Sequence, residues 1–226
     1  MGDTEGASHQ QEESSVTYGE LKTAVLSETH RPDLASEVEG FIRRAEGMIA
    51  RRLRAVEMIA QVTLSEAQRV DAGIYTLPDD FLEARAVWVP THSGRSRWIE
   101  QRSLAEIRTV PPTWPVQWYA LVGSNKIEFR GTPPPQVEIV LDYFARPAPL
   151  VDDADTNLLL MQHEEIYLAS ACFYLCRHTQ DLELAQGYLD SFENACEMLN
   201  EQSGRRLGSP TERAPYTFGS SGPGGY

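Results

Sequence analysis

From 34 to 57 the apolar residues Leu34, Val38, Phe41, Ile42, Ala45, Ile49, Leu53 and Val56 recur in steps of three and four. That spacing lines one face of a long helix. The run His30-Arg31-Pro32 breaks the chain before it, and Asp33 is the expected N-cap. Upstream, Thr17 and Glu20 form a capping box for a short helix over 18–27, with Leu21, Val25 and Leu26 on its apolar face. At the far end, 157–200 reads as two helices separated by a break at 178–181. The second places Leu182, Ala185, Leu189, Phe192, Cys196 and Leu199 along one seam. The first, 158–176, is apolar on nearly all sides. It has to be covered on more than one face by a sheet, a second helix or a neighbouring subunit.

Between these helical ends the period changes to two. Met58, Ala60, Val62 and Leu64 alternate as a strand. The stretch 65–70 is ambiguous. A short strand over 74–77 stops at Pro78, and 81–89 is the next, with Ala84, Ala86 and Trp88 alternating against Arg85, Val87 and Val89. Gly94 turns the chain and 96–100 returns. Ser103 and Glu106 form a second capping box, for a helix ending near Arg108. Residues 117–122 and 126–129 flank Gly123-Ser124-Asn125 as a hairpin. In the last strand, 137–144, Val137, Ile139, Leu141 and Tyr143 share a face. The expectation is an α+β fold: N-terminal helices over 17–57, a central mostly antiparallel β-sheet or small barrel over 58–145, and a C-terminal helical pair over 157–202. One domain spans 17–202, with a flexible N-terminal arm over 1–16 and an extended C-terminal arm over 203–226.

The chain has 226 residues, 41% hydrophobic and 23% charged, with no apolar run long enough to cross a membrane. Its first residues are polar and acidic, which argues against a secretory signal. The net charge of −13 repels phosphate over the general surface and argues against non-specific nucleic-acid binding. It leaves room for a protein through which DNA passes without sticking. Three cysteines, Cys172, Cys176 and Cys196, lie on the late helices at core-facing positions, as reduced thiols do.

The long helix carries Arg43, Arg44, Arg51, Arg52 and Arg54 on its other face. The plain reading is a solvated face with Glu39 and Arg43 paired at i,i+4. The sharper one is a basic strip that docks on an acidic partner, another copy of this chain included. Gly40 and Gly47 on that helix are expected to let another backbone come close. The tail combines Arg205, Arg206 and Arg213 with Tyr216, Phe218 and Tyr226, residue types that anchor extended arms on other proteins. The alternative is a plain disordered tail. These six and Arg43, Arg44 and Arg51 are the candidate partner-binding residues.

Catalytic and metal chemistry find little footing. Asp153, Asp155, Asn157 and Glu164 fit four positions of a calcium-loop template, but the required glycine is Leu158, so a helix-capping loop is expected. His163 and His178 stand at the two ends of one helix, roughly 22 Å apart, too far to share a metal. Cys172 and Cys176 are one turn apart with no second pair at metal-site spacing, so they read as small core residues. Asp79 and Asp80 are expected to cap backbone donors at a turn. Trp114, Trp118 and Tyr119 could stack on bases, but with no basic groove around them packing is the better reading. No catalytic, metal or cofactor residues are assigned.

Three stretches together resemble the head-to-tail adaptor (connector) proteins of tailed bacteriophages. They are Thr17-Tyr18-Gly19-Glu20-Leu21 with the helix to Arg54; Tyr75-Thr76-Leu77-Pro78-Asp79-Asp80-Phe81-Leu82-Glu83; and Thr156-Asn157-Leu158-Leu159-Leu160 leading into Ile166-Tyr167-Leu168-Ala169-Ser170-Ala171. The resemblance covers roughly 17–203. It implies a virion structural protein at the portal-tail vertex, made in the host cytoplasm and performing no reaction. Members form a ring, usually a dodecamer, below the portal protein and above a tail or nozzle protein, and leave a channel for DNA. Their C-terminal arm commonly reaches the portal or a neighbouring subunit. The competing readings are a tail-completion or stopper protein one layer further down, and a metal-dependent hydrolase using Asp152, Asp153 and Asp155.

Overall fold

The computed structural model describes residues 16–90, 96–112, 115–131, 133–134 and 137–207. Its helices are α1 (Tyr18–Glu28), α2 (Val38–Arg52), α3 (Leu104–Thr109), α4 (Leu158–Gln162), α5 (Glu164–His178) and α6 (Leu182–Leu207). Its strands are β1 (Ile59–Leu64), β2 (Arg69–Asp71), β3 (Ile74–Thr76), β4 (Phe81–Pro90), β5 (Ser96–Gln101), β6 (Trp118–Val122), β7 (Lys126–Phe129) and β8 (Ile139–Ala145). The fold is α+β, as the change of period indicates. The N-terminal arm, the turn at Gly94, Trp114 and most of the C-terminal arm lie outside the described residues.

Local chemistry explains where several elements begin. Thr17 Oγ1 accepts from the Glu20 N–H while the Glu20 carboxylate accepts from the Thr17 N–H, so both ends of the capping box on α1 are made. Ser103 and Glu106 do the same for α3. Ser65 and Gln68 make a third box, which resolves 65–70 as a single 3-10 turn leading into β2.

Several boundaries differ from the sequence reading. The long helix starts at Val38, not Leu34, because both Asp33 carboxylate oxygens are bound by Arg31 at 2.9 and 2.7 Å and Asp33 sits in a separate 3-10 turn. It stops at Arg52, short of 57. There Asn200 of α6 accepts from the Arg54 N–H and donates to the Arg52 carbonyl, so a side chain from another helix takes over the terminal bonds. Leu53 and Ala55 stay buried on extended backbone, and so the apolar stripe outruns the helix. The expected helix over 158–176 is two: Asn157 caps α4, and the chain kinks at His163 before α5 begins. The last helix continues past 202 to Leu207, because Ser203 is buried and accepts from the Val56 N–H at 3.0 Å. Residues 203–207 are therefore helix and not extended arm.

Among the described residues the strands form one curled eight-stranded sheet in the order β1-β8-β4-β5-β6-β7-β3-β2. Every pairing is antiparallel except β5 with β6, which α3 connects. β4 carries two bulges, between Phe81 and Glu83 and between Ala84 and Ala86. They let Phe81 and Ala84 meet the same core as Val87 and Val89 although steps of three separate Phe81, Ala84 and Val87. The alternation expected for Ala84 and Ala86 against Val87 is broken for that reason. The sheet encloses its own apolar cluster, including Tyr75, Tyr119, Ile127, Phe129 and Leu141.

A second cluster holds the helices together. α5 packs against α1, α2, α4 and α6. Ile166, Tyr167, Cys172, Leu175 and Cys176 are buried at 2% exposure or less, so the covering expected for this helix comes from within the chain. Leu82 and Phe144 reach into that cluster from the sheet side.

Candidate functional site

The acids, cysteines and histidines singled out in the sequence make structural contacts. Asp155 accepts from the N–H groups of Val151 and Asp152, each at 2.8 Å, and these bonds hold its carboxyl below the usual range. Asp153 contacts Lys22 at 2.5 Å, and Glu39 contacts it at 3.0 Å; the two carboxylates, Asp153 first, raise the lysine pKa. Asn157 donates to the Ala148 carbonyl and the Tyr167 hydroxyl and accepts from the Leu160 N–H. The loop is a helix cap, as expected. Among the described residues no group of three or more His, Cys, Asp or Glu side chains is arranged to hold a metal.

All three cysteines are free and buried. Burial pushes the Cys172 and Cys196 thiols up to about 12 and raises Cys176 as well, so at neutral pH they stay protonated. His163 lies 3.6 Å from Glu165 and His178 lies 3.4 Å from Glu37, at opposite ends of α5. Asp80 accepts from the Tyr143 hydroxyl at 3.1 Å. This corrects the expected backbone cap: pairing of β4 with β8 brings the tyrosine to the turn. Trp118 is half-buried and Tyr119 is buried in the sheet core. An open groove of about 710 Å³ runs between α1 and the 153 loop, lined by Thr17, Gly19, Glu20, Thr23, Asp153 and Glu164.

α2 displays the basic strip. Arg43, Arg44 and Arg51 are exposed and, among the described residues, form no ion pair. Arg52 is tied to Glu193 and Arg54 to Glu83, each at 2.8 Å. The expected pair of Glu39 with Arg43 does not form, because Glu39 turns to Lys22 of α1. Gly40 and Gly47 do not admit another backbone of this chain. A Cβ at Gly40 would meet nothing within 4 Å, and one at Gly47 only the Arg51 guanidinium at 3.6 Å.

The remaining candidates separate. Arg205 contacts Glu201 one turn back at 3.4 Å, and Arg206 reaches Glu57 at 3.5 Å. The Glu57 side chain is 8% exposed and that of Arg206 67%, so Arg206 touches the turn before β1 with most of its side chain still in solvent. Arg213, Tyr216, Phe218 and Tyr226 lie outside the described residues. Exposed apolar side chains include Val151, Leu158 and Met161 around α4, Leu182 and Leu184 at the start of α6, Met198 several turns further along that helix, and Val70 and Trp98 on the sheet.

Sequence reasoning passed over the outer face of α6. Reading that helix only for its buried seam hid the acidic residues Glu183, Asp190, Glu197 and Glu201, although they too recur in steps of seven and four. A family model described as SU10 adaptor protein matches residues 16–214, which takes in every helix and strand among the described residues. No curated protein matches the chain.

Proposed function

Because this chain belongs to the SU10 adaptor protein family, a family of phage head-tail adaptors, we propose that it forms a ring under the portal, joins it to the tail or nozzle protein, and leaves a channel for DNA. The family match over 16–214 is the observation that carries this reading. Adaptors of this kind are structural proteins of the phage particle.

Two physical features support the finer assignment. The net charge of −13 makes the general surface repel phosphate, which suits a lumen through which a duplex slides. Arg43, Arg44 and Arg51 of α2, which form no ion pair among the described residues, offer a contact to an acidic surface. We place the ring at a dodecamer, to match the symmetry of a portal. Arg205, Arg206, Arg213, Tyr216, Phe218 and Tyr226 are assigned to the portal contact, and Arg43, Arg44 and Arg51 to neighbouring copies.

The test is reconstitution. The purified chain, mixed with the portal ring encoded by the same phage, is expected to co-sediment as a complex whose native mass shows a symmetric multiple of the chain. Failure to bind portal at any concentration, with binding instead to the next layer of the tail, would reassign it as a stopper.

A further inference from the structure

If copies of this chain form a ring, they must touch, and two helix faces supply matched surfaces. The outer face of α2 repeats in steps of four, three and four through the exposed Gly40 and Arg44, the half-buried Gly47 and the exposed Arg51. α6 carries the opposite sign in the same rhythm. Glu183, Gly187, Asp190, Asn194, Glu197 and Glu201 are all exposed and lie away from the seam of Ala185, Phe192, Cys196 and Leu199. Among the described residues Glu183 and Glu197 make no ion pair, Asp190 accepts a hydrogen bond from Gln186 of its own helix at 2.7 Å, and Glu201 contacts Arg205.

The spacing matches as well as the charge. Arg44 and Arg51 lie about 10.5 Å apart along their axis, and so do Asp190 and Glu197 along theirs. Two arginines can therefore meet two carboxylates in register where the helices cross at a shallow angle. Glycine weakens a helix interior. Yet a Cβ at Gly40 or Gly187 would meet no atom within 4 Å, so this chain makes no use of the room itself. A second helix would use it to approach closely. Met198, 63% exposed beside the acidic stripe, offers apolar contact to the arginine stems.

We propose that α2 of one copy docks on α6 of the next, with Arg44 and Arg51 against Asp190 and Glu197. The occupant is a second copy because the same chain holds both halves of the match, equal in spacing and opposite in sign. The two patches differ, so the contact is heterologous and propagates from copy to copy. This rests on the ring reading above and names its interface.

Paired charge reversals in the full chain test it. Arg44→Glu/Arg51→Glu makes both faces acidic, and Asp190→Lys/Glu197→Lys makes both basic. Sedimentation velocity across protein concentration, at low and high salt, reads the outcome. The unaltered chain is expected to assemble beyond a dimer, less so at high salt. Each variant alone should self-associate at least about tenfold more weakly, and an equal mixture of the two should recover assembly, with circular dichroism unchanged throughout. The milder pair Arg51→Glu and Glu197→Lys serves if a double variant folds poorly. Variants that assemble like the unaltered chain, a mixture that stays apart, or an assembly that stops at two copies would overturn the proposal. Portal binding by the same proteins separates the two ideas. Variants that form the full ring on portal refute this interface and leave the adaptor reading standing. An unaltered chain that ignores portal, while the mixture assembles, does the reverse.

Discussion

Two residues hold backbone conformations that favour glycine. His30 (φ 52°) and Gln180 (φ 62°) follow the last turns of α1 and α5. In each case the next N–H reaches back to the carbonyl five residues earlier in the closing motif, Arg31 to Leu26 and Asp181 to Cys176. Replacing either with glycine is expected to raise stability by about 0.5–1 kcal/mol, relief of left-handed strain outweighing the extra unfolded-state entropy. Urea titration would show it, and a drop in stability would contradict the strain argument. Gly73 is the converse, with φ 76° and a prospective Cβ 2.7 Å from the Phe129 carbonyl oxygen. Gly73→Ala should cost about 2–4 kcal/mol, from strain and from the forced opening of β3 against β7. Glu46 gives a pH dependence. Burial raises its pKa against the lowering effect of the hydrogen bond it accepts from the Leu150 N–H. The folded chain thus holds this proton more tightly than the unfolded chain, so its contribution is full below the unfolded pKa and is lost as pH rises through the folded pKa. Glu46→Gln keeps the acceptor and removes the charge. Its stability relative to the unaltered chain should rise between acid and neutral pH in denaturant titrations.

Elements are held by side chains borrowed from distant segments. Asn200 closes the end of α2 with two hydrogen bonds, and Ser203 receives the Val56 N–H just before β1. Asn200→Ala should cost about 1–3 kcal/mol by leaving backbone groups without partners, and hydrogen exchange should rise first at Arg54. These contacts explain what was legible in the chain. Both capping boxes foreseen, Thr17 with Glu20 and Ser103 with Glu106, depend on residues three apart and could be read directly. So could the hairpin at Gly123, where φ is 63°. The end of α2 was not legible, because Asn200 lies far along the chain from Arg52. The kink at His163 and the bulges of β4 were hidden likewise, since an apolar stretch does not disclose a one-residue break and a bulge is fixed by pairing with β8.

At the scale of the whole molecule, three soft stretches pointed to a head-tail adaptor, and the family match over 16–214 agrees. The candidate site was only half legible. Arg43, Arg44 and Arg51 stood out as a basic strip on an acidic chain, while the carboxylates of α6 were lost among the many acids of a protein with net charge −13. Whether Arg52 or Arg206 was free could not be read, because Glu193 and Glu57 claim them only in three dimensions. The tail is assigned a separable role. A chain ending after Leu207 should keep its self-association and bind portal at least about tenfold more weakly, as expected when an arm's aromatic anchors are removed. Co-sedimentation with portal would show the two properties parting. The central claim is that this chain joins the portal to the tail, and an electron cryomicroscopy reconstruction of the portal vertex in whole phage particles tests it most directly. The account predicts a ring of this chain directly beneath the portal, with DNA passing through its centre. Density that places the chain elsewhere in the particle, or particles from which it is absent, would contradict it.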